Sequence, residues 1–167
     1  MKKYFLLLVS LIALSADAFA EGRFSIVGGV NYGLDSTSTP DGIGGTITVK
    51  SGMGFGGGLL MNLHPVEIGA IYASKTYTAE FLGTSTSTSV TGIHIPVMYR
   101  FRGLTSFGVG GFYDIPITSG GTSNYGLTAG PRFGMTNGFF VDLRFNYGLK
   151  TGNSKDVLAL VGYSFGK

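Results

Sequence analysis

Large apolar residues recur at every second position in eight segments of this chain. The clearest runs from Phe139 to Tyr147, where Phe139, Val141, Leu143, Phe145 and Tyr147 alternate with Phe140, Asp142, Arg144 and Asn146. A strand with this period has one oily face and one wet face. The first segment sets Phe24, Ile26, Val30 and Tyr32 against Ser25, Val27, Gly29 and Asn31. The second sets Met53, Phe55, Leu59, Met61 and Leu63 against a phase of glycines with Leu60 and Asn62. The third alternates Val66, Ile68, Ala70 and Tyr72 with Glu67, Gly69, Ile71 and Ala73. The fourth alternates Ile93, Ile95, Val97, Tyr99 and Phe101 with His94, Pro96, Met98 and Arg100. In the fifth, Phe107, Val109, Tyr113 and Ile115 oppose Ser106, Phe112 and Asp114; in the sixth, Tyr125, Leu127, Phe133 and Met135 oppose Thr128 and Arg132. The eighth, Val157 to Phe165, is apolar in both phases; Val157, Ala159, Val161, Tyr163 and Phe165 are assigned outward.

No charged residue falls in the apolar phase of any segment. The outer face of a soluble sandwich would be rich in Lys, Glu and Thr. Here the second face is small and sparsely charged, which suits the interior of a narrow barrel. The oily face is therefore expected to meet lipid.

The connections alternate in length. His64-Pro65, Arg102-Gly103-Leu104 and Thr136-Asn137-Gly138 are tight turns, while Leu34 to Gly45, Gly83 to Val90, Pro116 to Ser123 and Lys150 to Lys155 are polar links. The two-residue turn after Leu63 changes the parity of the apolar phase and the three-residue turns preserve it, as antiparallel neighbours on one face require. These features predict an all-β, eight-stranded antiparallel up-and-down transmembrane β-barrel over residues 21–167. An even count closes the eighth strand onto the first, with both termini on the short-turn, periplasmic side and the long loops extracellular. Ile47 and Val49 continue the second strand, and Tyr77 and Phe81 the third, past the 9 to 11 residues needed to cross. A protruding ribbon is expected there, whose flank at Thr84–Ser89 and neighbouring loops could take an extracellular partner by strand addition.

Residues 1–20 read as a cleavable export signal: Lys2 and Lys3, an apolar run from Tyr4 to Leu14, and Ala18-Phe19-Ala20 before Glu21. Without Lys2, Lys3 and Asp17, the 12 basic and 9 acidic side chains become 10 and 8, a net charge of +2. With no basic run, this is not a nucleic-acid footprint. The absence of cysteine excludes disulfide staples and thiolate metal sites. A mean hydropathy of +0.30 with 13% charged residues fits a chain that shows apolar side chains to a bilayer.

The inward charged set is Glu67, Lys75, Arg100, Asp114, Arg132, Asp142 and Arg144. The Thr136–Gly138 turn places Arg132 opposite Asp142, which predicts an ion pair. Arg100 and Arg144 then need Asp114, Glu67 or water, because buried charges persist only when paired. The expected result is a polar plug built from Glu67, Arg100, Asp114, Arg132, Asp142 and Arg144. Tyr32, Tyr72, Tyr99, Phe101, Tyr113, Tyr125, Phe139, Phe145, Tyr147, Tyr163 and Phe165 are expected to face lipid, the tyrosines forming interfacial girdles.

No catalytic, cofactor or metal site is assigned. His94 faces inward with Pro96, not Ser, two residues away, and His64 sits in a turn. The glycines from Gly52 to Gly58 follow strand parity and lack a phosphate-loop ending; they are expected to make room for Phe112, Met98 or Phe140. Asp35 to Asp41 holds too few acids for a calcium loop.

Three stretches carry a family likeness: Glu67-Ile68-Gly69-Ala70-Ile71-Tyr72, Ile93-His94-Ile95-Pro96-Val97-Met98-Tyr99-Arg100-Phe101, and Val141-Asp142-Leu143-Arg144-Phe145-Asn146-Tyr147-Gly148-Leu149. With them the mature chain resembles the small outer-membrane β-barrels of Gram-negative bacteria: PorT-like, OmpX-like and OmpA membrane-domain-like proteins. Val161-Gly162-Tyr163-Ser164-Phe165 looks like the aromatic signal such barrels show their assembly machinery, although Gly166-Lys167 follow Phe165. The resemblance implies outer-membrane lipids and that machinery as partners, with no cofactor. Such barrels host several functions. The expectation is a non-enzymatic barrel with a filled lumen and a structural or adhesin-like surface role. The alternatives are a narrow channel for ions or small hydrophobic molecules, a lipid-modifying enzyme, and a soluble calycin-like ligand barrel.

Overall fold

A computed structural model describes residues 23–40, 46–101, 105–150 and 154–165. The expected export signal, the turn at 102–104 and the two residues after Phe165 lie outside the described residues. The strands are β1 (Arg23–Gly33), β2 (Ser36–Pro40), β3 (Thr46–Ser51), β4 (Met53–Leu63), β5 (Val66–Phe81) and β6 (Thr84–Phe101). They continue with β7 (Ser106–Pro116), β8 (Asn124–Gly134), β9 (Phe139–Gly148) and β10 (Lys155–Phe165).

Eight of these strands close on themselves. β1 pairs with β10 on one side and β4 on the other, β4 with β5, β5 with β6, and the run returns through β7, β8 and β9 to β10, every pair antiparallel. The closing register sets Phe24 opposite Phe165 and Tyr32 opposite Val157. Closure satisfies the backbone groups that an open edge would leave unpaired.

Alternation then decides the two faces. Ile26, Val30, Phe55, Leu59, Leu127, Leu143, Phe145 and Val161 are exposed on the outside. Their sequence neighbours turn inward, so that Val27, Leu60, Ile71, Phe140, Leu158 and Leu160 form an apolar cluster along one flank of the interior. The doubly apolar β10 is thus resolved: Leu158 and Leu160 are fully buried while Val161 is 58% exposed.

The large inward rings are accommodated by glycines other than those expected. A Cβ on Gly162 would strike the Phe140 ring, one on Gly126 would lie 2.8 Å from Phe112, and one on Gly108 would lie 2.9 Å from the Met98 methyl. By contrast, Gly54 and Gly58 sit against the backbone of Ser74 and Ala70, and Gly56 faces Tyr72, Ile71 and Leu158. The Gly52–Gly58 run therefore permits close approach of β4 to β5 and does not make space for Phe112, Met98 or Phe140.

Two segments expected as loops are strands. Ser36–Pro40 pairs with β3, and Thr84–Ser89 continues β6 along the upper half of β5. The connection between β5 and β6 shrinks to Leu82 and Gly83, both at positive φ (46° and 78°). β3 joins β5 through Thr48↔Glu80 to Ser51↔Tyr77. β2, β3 and the upper parts of β5 and β6 thus form a four-stranded ribbon that stands above the ring on one side.

Candidate functional site

The interior is layered along the ring axis. Near the short turns, Glu67 lies just after His64-Pro65, Arg100 is the last residue but one of β6, and Arg132 and Asp142 face each other across the β8–β9 turn. The Asp142 Oδ2 atom accepts hydrogen bonds from Arg132 Nη2 at 2.6 Å, Arg100 Nη2 at 2.7 Å and Arg144 Nη2 at 2.7 Å. Glu67 Oε1 accepts from Arg144 Nη2 at 2.9 Å and Arg100 Nη2 at 3.1 Å, and Oε2 pairs with Arg132 Nη1. Three guanidiniums share two carboxylates. Glu67, Asp142 and Arg144 are fully enclosed, and Arg132 also lies 4.3 Å over the Phe140 ring. Charge-assisted pairing of this kind is what lets ions persist away from water. The network cross-links β5, β6, β8 and β9 through the middle of the ring.

Asp114 does not belong to this network. It lies at the other end, where its Oδ1 is 2.7 Å from His94 Nδ1 and its Oδ2 is 3.8 Å from Lys75 Nζ. Lys75 donates to Asp156 Oδ2 at 2.7 Å, and Asn146 Nδ2 donates to the other oxygen of Asp156 at 2.7 Å. Asn124 Nδ2 donates to Ser154 Oγ at 2.9 Å. This mouth cluster borders a cavity of about 110 Å³ at the long-loop end. Asp156, Asn146, Asn124 and Ser154 were absent from the expected set. The first two strands flanking 102–104 do carry a signal for one of these contacts, since their register sets His94 opposite Asp114. Asp156 stands opposite Asn146 on the adjacent strand β9, whereas its approach to Lys75 on β5 crosses the lumen and is encoded by no single turn.

Tyr77, on the ribbon side of the mouth, has its phenol pushed above the ordinary range. Burial is the main cause; Lys75 opposes it, and the carboxylates of Asp156, Asp35 and Asp114 add to it.

On the outside, the aromatic residues fall in two bands. Tyr99, Phe101, Phe139, Tyr163 and Phe165 cluster at the short-turn end, where the Tyr99–Phe101, Phe139–Tyr163 and Tyr163–Phe165 ring centroids are about 5 Å apart. Tyr32, Tyr113, Tyr125 and Tyr147 ring the other end, with Tyr113 directly opposite Tyr125. Tyr72 also faces outward, and Phe145 lies between the bands.

The outward apolar surface, the aromatic bands and the closed eight-stranded ring define the fold of a small outer-membrane β-barrel protein. Among solved structures the chain is similar to the outer-membrane protein Ail of Yersinia pestis, whose backbone structure was determined in a phospholipid bilayer nanodisc. The TM-score is 0.53 at 15% identity, over 87% of this chain and 100% of Ail. A structure described by the asymmetric conductivity of engineered proteins covers 87% of this chain and 99% of its own, at 9% identity. Its TM-score of 0.25 is too low to bear on the fold. No protein-family description matches the chain. No curated protein matches it either.

Proposed function

We propose that this protein is a non-enzymatic barrel of the bacterial outer membrane, with a lumen plugged by side chains and a surface-interaction role carried by its ribbon. The observation that carries this reading is the inversion of the usual soluble pattern: charges are enclosed while large apolar side chains cover the outside. Phe55, at 62% exposure, and Leu59, at 56%, would be costly in water and are stabilised by acyl chains. The two aromatic bands support an interfacial position at each end. Short turns and both termini then face the periplasm, and the ribbon faces outward from the cell.

Fractionation tests the location. The protein is expected in the outer-membrane fraction, with gel migration that changes on heating; recovery in the soluble periplasm would overturn it. In planar bilayers the five-residue charged plug is expected to prevent steady single-channel steps, whereas a reproducible conductance would favour transport.

The ribbon supports strand addition as the mode of contact. β7 pairs with β6 only from Gly92 onward, so among the described residues Thr84–Val90 keeps one edge without a strand partner. The other ribbon edge, β2, ends on Pro40, a residue that blunts pairing, while Thr84–Val90 holds neither proline nor charge. Deleting residues 84–89 is expected to abolish surface binding and leave the protein folded in the membrane. Unchanged binding of the folded deletion variant would sink the interaction role.

A further inference from the structure

The pleat of β6 decides which of its backbone groups face the open edge of the ribbon. Thr91 lies where that edge closes. Its carbonyl oxygen accepts from Ile117 N at 2.9 Å, and its own N–H donates to Thr118 Oγ1 at 2.9 Å. Both backbone groups of Thr91 therefore point away from β5. In a strand these groups alternate from side to side. The N–H and C=O of Ser85, Ser87 and Ser89 thus point to the open edge, and those of Thr84, Thr86, Thr88 and Val90 turn toward β5. β7 meets β6 only from Gly92 onward, and among the described residues no second strand reaches the three serines from that side. The segment is exposed and holds neither charge nor proline. The nearby Lys50–Glu80 pair, at 2.8 Å, neutralises itself.

An antiparallel partner exchanges two hydrogen bonds with every second residue and none with those between. A second copy of the same edge supplies that spacing. About a two-fold axis at Ser87, Ser87 meets Ser87 and Ser85 meets Ser89. Every edge-facing N–H and C=O of the three serines then has a partner in the other copy. Sliding the copy by two residues one way leaves Ser89 opposite the turn at Gly83. Sliding it the other way sets Ser85 opposite Thr91, which is already bonded. The ends of the register match as well. Beyond Val90 the edge belongs to β7, and the other copy turns off there at Leu82–Gly83 toward its own β5. The same register brings Leu82 of one copy level with Pro116 and Ile117 of the other. Leu82 is 78% exposed and Ile117 57%, so each junction carries apolar surface that water alone now covers.

Chain direction selects the arrangement. β6 runs from the ribbon tip down into the ring. Copies side by side in one membrane present edges that run the same way. Antiparallel edges meet only when two rings face each other mouth to mouth. We propose that the ribbon pairs with the ribbon of a second copy of this chain held in an opposed membrane, antiparallel through Ser85–Ser89 about a two-fold axis at Ser87. The inference rests on the reading of the ribbon as a surface-interaction element and names its partner.

Nanodiscs that each hold one full mature protein exclude contacts within a membrane. In sedimentation such discs are expected to pair reversibly as concentration rises. Ser87→Pro removes an edge-facing N–H and leaves the bonds to β5 in place. It is expected to weaken pairing at least tenfold, with heat-dependent gel migration retained as the check on folding. The chain has no native cysteine, so cross-links report the register directly. Ser87→Cys is expected to link two discs on mild oxidation, because the Cα atoms of a hydrogen-bonded antiparallel pair lie about 5.5 Å apart, within disulfide reach. Ser85→Cys and Ser89→Cys are expected to link to each other and not to themselves. Discs that stay single at every concentration, or folded Ser87→Pro that pairs like the parent, would overturn the proposal. Cross-linking of Ser87→Cys only where two copies share one disc would overturn it too. Loss of surface binding on deleting residues 84–89, in a protein whose discs stay single, would leave the ribbon its interaction role and remove self-pairing alone.

Discussion

Replacing Asp142 by asparagine is expected to destabilise the folded protein by about 3–5 kcal/mol, the cost of removing one partner from a buried ionic cluster. Asp142 Oδ2 receives Arg100, Arg132 and Arg144 within 2.6 to 2.7 Å. Without its charge, three enclosed guanidiniums share Glu67 alone. The direction of the asymmetry makes the test sharper. The cluster already has one positive charge more than it has negative, so Arg132→Met leaves two guanidiniums on two carboxylates, a balanced set. Arg132 is also the least enclosed of the three, with its side chain 12% exposed. The arginine variant is therefore expected to cost clearly less than the aspartate variant. In the double variant the two effects are expected to add to less than their sum, because they share partners. Reversible denaturant unfolding in lipid or micelles measures all three. Equal losses for Asp142→Asn and Arg132→Met would show that the cluster acts as packing and not as a charge network.

Much of this arrangement is legible in the residues themselves, and the parts that are not fail for physical reasons. Facing is legible because a period of two leaves only two choices, and charge on one phase removes one of them. That is why Asp142 and Arg144 point inward while Leu143 and Phe145 point outward, and why Arg132 meets Asp142 across a three-residue turn. β10 lacks that signal because its inward side is also apolar: Leu158 neighbours Arg144, and Leu160 neighbours Asp142, on the oily flank of the lumen. The upper ribbon fails differently. Ser and Thr fill both phases of Thr84–Ser89, so hydropathy gives no alternation to read, and the segment becomes a strand through its pairing with Thr76–Phe81. Thr78 with Ser87, at 2.9 Å, and Thr76 with Ser89, at 3.4 Å, are the hydroxyl pairs that this register brings together. The separation of Asp114 from the plug needs distance along the axis as well as facing. An inward phase says that a charge enters the lumen and leaves its height undetermined until the eight registers are combined.

The outward face gives the second large effect. Leu143→Arg is expected to cost about 2–4 kcal/mol in a phospholipid bilayer, the range for arginine near the midplane of a transmembrane barrel. Leu143 lies midway along β9, between the two aromatic bands, and its side chain is turned away from the lumen. Thr78→Arg is the matched control. Thr78 lies on the upper ribbon, beyond the tyrosine band, opposite Ser87 on β6 and Lys50 on β3, so the same side chain there meets water and one like charge and is expected to cost no more than about 1 kcal/mol. A third position separates membrane from core. Leu160 is fully buried inside the ring, and arginine there would meet the Arg144–Asp142 network in any solvent. Leu160→Arg is therefore expected to prevent folding in bilayers and in detergent alike, whereas the penalty at Leu143 is expected to shrink where detergent lets the guanidinium reach water. Unfolding titrations of the three variants in vesicles and in micelles provide the comparison. A ring that lived in water would reverse the order, since arginine at an exposed leucine would then be neutral or favourable. A loss at Leu143 no greater than at Thr78 would remove the lipid from the outer face.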